Sequence, residues 1–175
     1  MKRIAVARAA PIVLLLLAGC AGMDAKYPQT PDEFLATYNW GGIFQNREKV
    51  AVDRPATAVV ADLKEFARKC MDITVNKRRA GRYALDKYGT TPGGAIPYLA
   101  KVAPLKSGSP ALSIQEKLDK PPAGTPAEGM FTVVAEVQSV GKTKTEVGIH
   151  HLAKPFIADP LKKWIAGDKR ECPAL

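Results

Sequence analysis

Residues 56–70 force a helix to lie against something flat. Val59, Leu63, Phe66, Ala67 and Cys70 recur at spacings of four, three, one and three, so all five share one helical face. Asp62, Lys64, Glu65, Arg68 and Lys69 occupy the remainder. A helix with a single apolar face has to bury it against another element. The matching surface is written further along the chain. Phe131, Val133, Ala135 and Val137 alternate with Thr132, Val134, Glu136 and Gln138, residues 139–142 turn the chain, and Thr145, Val147, Ile149 and His151 alternate back. Period two on both sides of a short turn predicts an antiparallel hairpin with one apolar face.

The other elements are shorter. Thr30-Pro31-Asp32-Glu33 carries a helix start, with Thr30 able to cap, Pro31 suited to the first helical position and Glu33 placed as a capping-box partner, and the helix runs to about Tyr38. Strands are expected over 49–53, 71–75 and 82–88, the last two joined by a basic turn at 76–81, and again over 98–103 and 111–118. Residues 89–97 and 120–129, rich in glycine and proline, read as connections. Asp159-Pro160 is expected to open a closing helix with Leu161, Trp164 and Ile165 on its apolar side, and Gly167 to stop it. This order predicts an α+β two-layer sandwich, an antiparallel sheet with a long N-terminal and a short C-terminal helix on one face. It resembles the helix-grip or TATA-binding-protein-like arrangement, which also occurs in envelope lipoproteins such as the grip-domain component of the outer-membrane barrel-assembly machinery. The resemblance is one of element order and brings no site residues with it.

The N-terminus has a different character. Lys2, Arg3 and Arg8 make it positive and residues 9–19 are almost wholly apolar, as in a secretory leader. A bilayer core about 30 Å thick needs roughly 20 apolar helical residues, and this run is much shorter. It ends in Leu17-Ala18-Gly19-Cys20, which resembles the lipobox of bacterial lipoprotein precursors. That resemblance implies a diacylglycerol on the sulfur of Cys20, cleavage just before it and acylation of the new terminus. Several buried acyl chains, at about 0.8 kcal/mol per CH₂, make such anchoring durable. Ala21, where aspartate would retain an enteric lipoprotein in the inner membrane, implies the periplasmic face of the outer membrane. The organisation expected is a signal peptide over 1–19, a lipidated N-terminus, tether and short helix over 20–48, and one α+β domain over 49–175.

Of 26 basic residues three precede Cys20, so the chain from Cys20 onward carries 23 against 17 acidic ones. That excess suits anionic lipid head groups, lipopolysaccharide phosphates or acidic envelope partners, under salt screening. Nucleic acid is excluded by the expected location. With Cys20 lipidated, Cys70 and Cys172 remain in an oxidising compartment, where a disulfide is the natural reading. The competing one is that Cys70 serves as a small buried hydrophobe.

Chemistry-bearing groups are few. His150 and His151 are the only histidines, and as strand neighbours they point to opposite faces, His150 outward and His151 toward the core. No phosphate loop, nucleophile elbow or spaced ligand cluster is present in the sequence, so neither catalysis, metal nor cofactor is expected. Lys77, Arg78, Arg79 and Arg82, with Tyr83 and Tyr88 close by in sequence, form a candidate anion-binding tip. Two functions from different classes fit these observations. One is a tethered interaction domain in envelope assembly or maintenance. The other is a carrier or sensor enclosing a small apolar ligand such as a lipid, with Val59, Leu63, Phe66, Phe131 and Val133 bordering the pocket.

Overall fold

The computed structural model describes residues 27–38, 42–71, 98–118 and 120–174. They form five strands and three helices: α1 (Pro31–Thr37), β1 (Gln45–Val52), α2 (Ala56–Cys70), β2 (Tyr98–Pro104), β3 (Pro110–Glu116), β4 (Met130–Ser139), β5 (Thr145–Leu152) and α3 (Pro155–Ala166). The sheet is antiparallel in the order β1-β5-β4-β3-β2, so the first strand pairs with the last. The α+β class is as expected from the sequence. The strands expected over 71–75, apart from Met71, and over 82–88 lie outside the described residues. Among the described residues no helix is long and apolar enough to cross a membrane.

One core fills the space between the sheet and helices α2 and α3. Val59, Leu63, Phe66 and Cys70 of α2 and Ile157, Leu161, Trp164 and Ile165 of α3 meet Leu112, Ile114, Val133, Ala135, Val147 and Ile149 of the central strands. The five apolar residues read as one face of α2 therefore do face the sheet. Phe66 and Trp164 stack edge to face at 5.6 Å between ring centroids, joining the two helices.

The opposite face of the sheet carries a second, smaller core. Phe34 of α1 packs on Phe131, Val134, Ala111 and Leu105, with its ring 6.3 Å from that of Phe131. The short helix is thus part of the folded unit, and β1 starts at Gln45, four residues before the strand expected at Lys49. Thr30 caps α1 as expected, accepting the Glu33 N–H at 3.1 Å, while the Glu33 carboxylate accepts the Gln29 N–H at 2.7 Å.

Two local rules broke. Strict alternation from Phe131 to Val137 fails because Ile114 pairs with Val133 but Gln115 pairs with Phe131, leaving Thr132 as the extra residue of a β-bulge. Its hydroxyl donates to the Ile114 carbonyl. Phe131 is thereby turned to the α1 face, away from Val133. The closing helix, expected to open at Asp159-Pro160, opens at Pro155 and runs through Pro160. Pro155 takes the first helical position that suits it, and burial of Ile157 and Ala158 holds the early turns on the sheet although Pro160 supplies no N–H. Gly167 ends the helix at φ 99°, as expected.

Candidate functional site

Where β1, β5 and the start of α3 meet, a group of charged side chains lies against the core. Glu48 pairs in register with Ile149 and so shares the helix-covered face with it and with His151. His151 is buried, its Nε2 3.1 Å from Glu48 Oε1, while its Nδ1 accepts the Lys154 N–H at 3.1 Å. One tautomer satisfies both bonds, with the hydrogen on Nε2 donated to Glu48. The other Glu48 oxygen accepts from Lys162 at 2.7 Å, and Lys162 also pairs with Asp159 at 2.8 Å. The Lys162 bond chiefly, helped by His151, holds the Glu48 carboxyl below its ordinary pKa, and Asp159 followed by Glu48 raises the Lys162 ammonium.

Next to it, Lys154 Nζ pairs with the buried Glu116 carboxylate at 2.7 Å and sits 6.0 and 5.6 Å from the ring centroids of Tyr98 and Phe156. Burial, with the Glu116 charge adding to it, pushes the Tyr98 hydroxyl well above its ordinary value. The turn into α3 passes through Ala153 at φ 46°, a left-handed conformation costing a non-glycine residue about 1 kcal/mol, and the His151–Lys154 bond spans it. Each ionisable group here is satisfied by a neighbour. Both His151 nitrogens are engaged, so the arrangement fastens α3 to the sheet and offers no ring nitrogen to a substrate. Among the described residues no group of three or more histidine, cysteine or acidic side chains is arranged to hold a metal ion.

A second cluster locks the C-terminal tail to α2. Cys70 and Cys172 are bonded, their sulfurs 2.06 Å and their Cα atoms 5.1 Å apart. Nearer the start of the same helix, the buried Asp62 pairs with Arg54 at 2.6 Å and with Lys169 at 3.0 Å, and Lys169 reaches Glu65 at 2.8 Å. Arg54 also donates to the Ile165 carbonyl, and the Trp164 indole N–H donates to the Glu171 carbonyl at 2.6 Å.

Of the residues singled out from the sequence, Cys70 and Cys172 are brought together as a pair. Cys20 and the basic tip Lys77, Arg78, Arg79 and Arg82 lie outside the described residues. His150 and His151 do point to opposite faces of the sheet. His150, however, is only 6 % exposed on its outer face, with its ring over Gly148, where an added Cβ would stand 3.5 Å from its Nε2. Burial first, then the Arg47 charge, against the opposing pull of Glu136, lowers its pKa to about 4.

Glu48, Lys154, Lys162 and Glu116 were not singled out. A signal for Glu48 was present: it shares strand parity with Val50 and Val52, so an acid there points at the helices. Nothing local marked Lys162 as the partner of Glu48, or Lys154 as that of Glu116.

The remaining surface feature is the rim of the sheet. Among the described residues no strand pairs with the outer edge of β1, and the two residues before it, Ile43 and Phe44, are 92 % and 70 % exposed. Arg47 and Lys49 project from the same strand into solvent, Lys49 bonded to Glu146 at 2.6 Å. In comparisons with known protein families, characterised proteins and solved structures, this chain matches none.

Proposed function

We propose that this chain is a bacterial lipoprotein, held by lipid on Cys20 at the periplasmic face of the outer membrane, whose domain binds another envelope component rather than catalysing a reaction. The observation that carries the reading is cysteine arithmetic. The chain has three cysteines, and Cys70 and Cys172 are bonded to one another. Cys20 is left without an internal partner at the end of an apolar run, and an odd cysteine in an exported chain calls for a use. Lipid attachment supplies one. The bridge itself supports export, because disulfides persist in oxidising compartments.

The preference for interaction over transport rests on packing. Val59, Leu63, Phe66 and Val133 are buried in one core, but Phe131 stands on the other side of the sheet, so these five do not border a single pocket. An anionic glycan or lipid partner would be met by Lys77, Arg78, Arg79 and Arg82.

Mass spectrometry on protein from native membranes, after mild cross-linking in cells, tests the proposal. The N-terminal peptide is expected to begin at an acylated Cys20, and a partner protein or glycan to be linked reproducibly. An unacylated Cys20 ends the anchored reading. A stoichiometric lipid inside the domain without any linked partner replaces the interaction reading with the carrier.

A further inference from the structure

We propose that the outer edge of β1 is a docking strand for an extended segment of a partner protein in which acidic and apolar residues alternate. This deepens, and rests on, the reading of the domain as an interaction module. Eight residues, Gln45–Val52, pair continuously with β5 on one side, with no bulge and no proline to blunt the other. Among the described residues that other edge is unpaired, and such an edge offers a row of backbone donors and acceptors to an incoming strand.

The side chains state the chemistry of the incomer. On the outer face of the sheet, Arg47 and Lys49 are exposed, and Arg47 has no carboxylate in ion-pairing range among the described residues. On the helix face, Val50 and Val52 are half-buried against the main core and present their remaining apolar surface at the rim. A strand laid alongside places its own side chains alternately on these two faces. Acids on one face meet Arg47 and Lys49, and apolar groups on the other extend the core past Val50 and Val52. Ile43 and Phe44 continue the apolar contact beyond the strand's start.

The same charges disfavour a second copy of the chain. Two β1 strands related by a two-fold axis through Arg47, Glu48 or Lys49 set Arg47 against Arg47, Arg47 against Lys49, or Lys49 against Lys49. Like charges directly opposite are destabilising.

The test uses the full-length protein in detergent and two capped eight-residue peptides, one alternating Glu with Val and one alternating Lys with Val. Anisotropy of the labelled peptides and amide chemical shifts of the protein are read at low salt. The Glu–Val peptide is expected to bind saturably, to shift amides of residues 45–52, and to weaken about tenfold in Arg47→Glu, which should gain affinity for the Lys–Val peptide. Lys49→Gln, a milder change, should weaken it less. Equal binding of both peptides, shifts centred away from β1, absence of binding at millimolar peptide, or a protein that dimerises through β1 overturns the proposal. A partner cross-linked in cells at some other surface would end this assignment while leaving the interaction reading intact.

Discussion

Breaking the Cys70–Cys172 bridge should destabilise the domain by about 3 to 4.5 kcal/mol. The bridge closes a separation of 102 residues, and for a loop of roughly that size the chain-entropy model gives about 4.7 kcal/mol at 25 °C, a figure lowered by compactness of the real unfolded chain. The native state should change little on reduction. Lys169 stays tied to Asp62 and Glu65, and the Trp164 indole to the Glu171 carbonyl, so the tail keeps its seat without the covalent link. The loss therefore arises almost wholly in the unfolded ensemble. Urea unfolding with and without reductant measures it. With a denaturant slope near 2 kcal/mol/M, about 4 kcal/mol moves the midpoint down by about 2 M. The slope itself should rise, because the unlinked unfolded chain exposes more surface. A double variant, Cys70→Ala with Cys172→Ala, should match the reduced protein to within about 1 kcal/mol, the extra cost being the small void at the buried Cys70. A loss below about 1 kcal/mol on reduction, or a double variant that still responds to reductant, would refute the reasoning.

Acid should weaken the fold through His150. Its folded pKa of about 4 lies below its ordinary 6.5, so between those values the unfolded chain binds more protons, and stability falls as pH falls from 6.5 toward 4. Denaturation at stepped pH should show about 1 to 2 kcal/mol of this loss, less than full linkage because the facing Arg47 is hydrated, and His150→Gln should flatten it. Arg54→Ala removes one of two cations from the buried Asp62 along with the bond to the Ile165 carbonyl, and should cost about 2 kcal/mol in thermal or urea unfolding. Its effect should shrink when Asp62→Asn is already present. Gly129→Ala places a Cβ 2.6 Å from the Glu116 carbonyl oxygen at φ 120°, so about 2 kcal/mol or more should be lost, together with a displaced Lys154–Glu116 pair visible by NMR.

Elements with a strong period were legible in the sequence. The helix over 56–70 and the hairpin of β4 and β5 need only local rules, since burial face and turn both lie within a few residues of one another. Thr30 and Gly167 were legible for the same reason, as end signals acting through their own backbone neighbours. What escaped depended on partners remote in sequence. The bulge at Thr132 is imposed by β3, and it sent Phe131 to the face that α1 covers. Pro160 looked like a helix start because its own geometry allows it, yet burial of residues upstream extended the helix past it. The pairing of Glu48 with Lys162 and of Lys154 with Glu116 joins residues 114 and 38 positions apart, for which no local pattern exists. The Cys70–Cys172 pair was reachable without geometry once the lipobox resemblance set Cys20 aside, which leaves two of the three cysteines.

Pairing the first strand with the last has a consequence for the order in which the domain is built. Made N-terminus first, the chain presents β1 long before β5 arrives, and Cys70 long before Cys172. Until then β1 lacks β5 as a partner, and α2 has neither α3 to pack against nor Cys172 to bond. Among the described strands, β2, β3 and β4 can pair in the order in which they emerge. Completion is thus gated by the last quarter of the chain, and contacts of such long sequence separation are slow to form. During that wait the sequence of β1 must stay soluble as a lone strand, a demand met by three successive charges, Arg47, Glu48 and Lys49, at its centre.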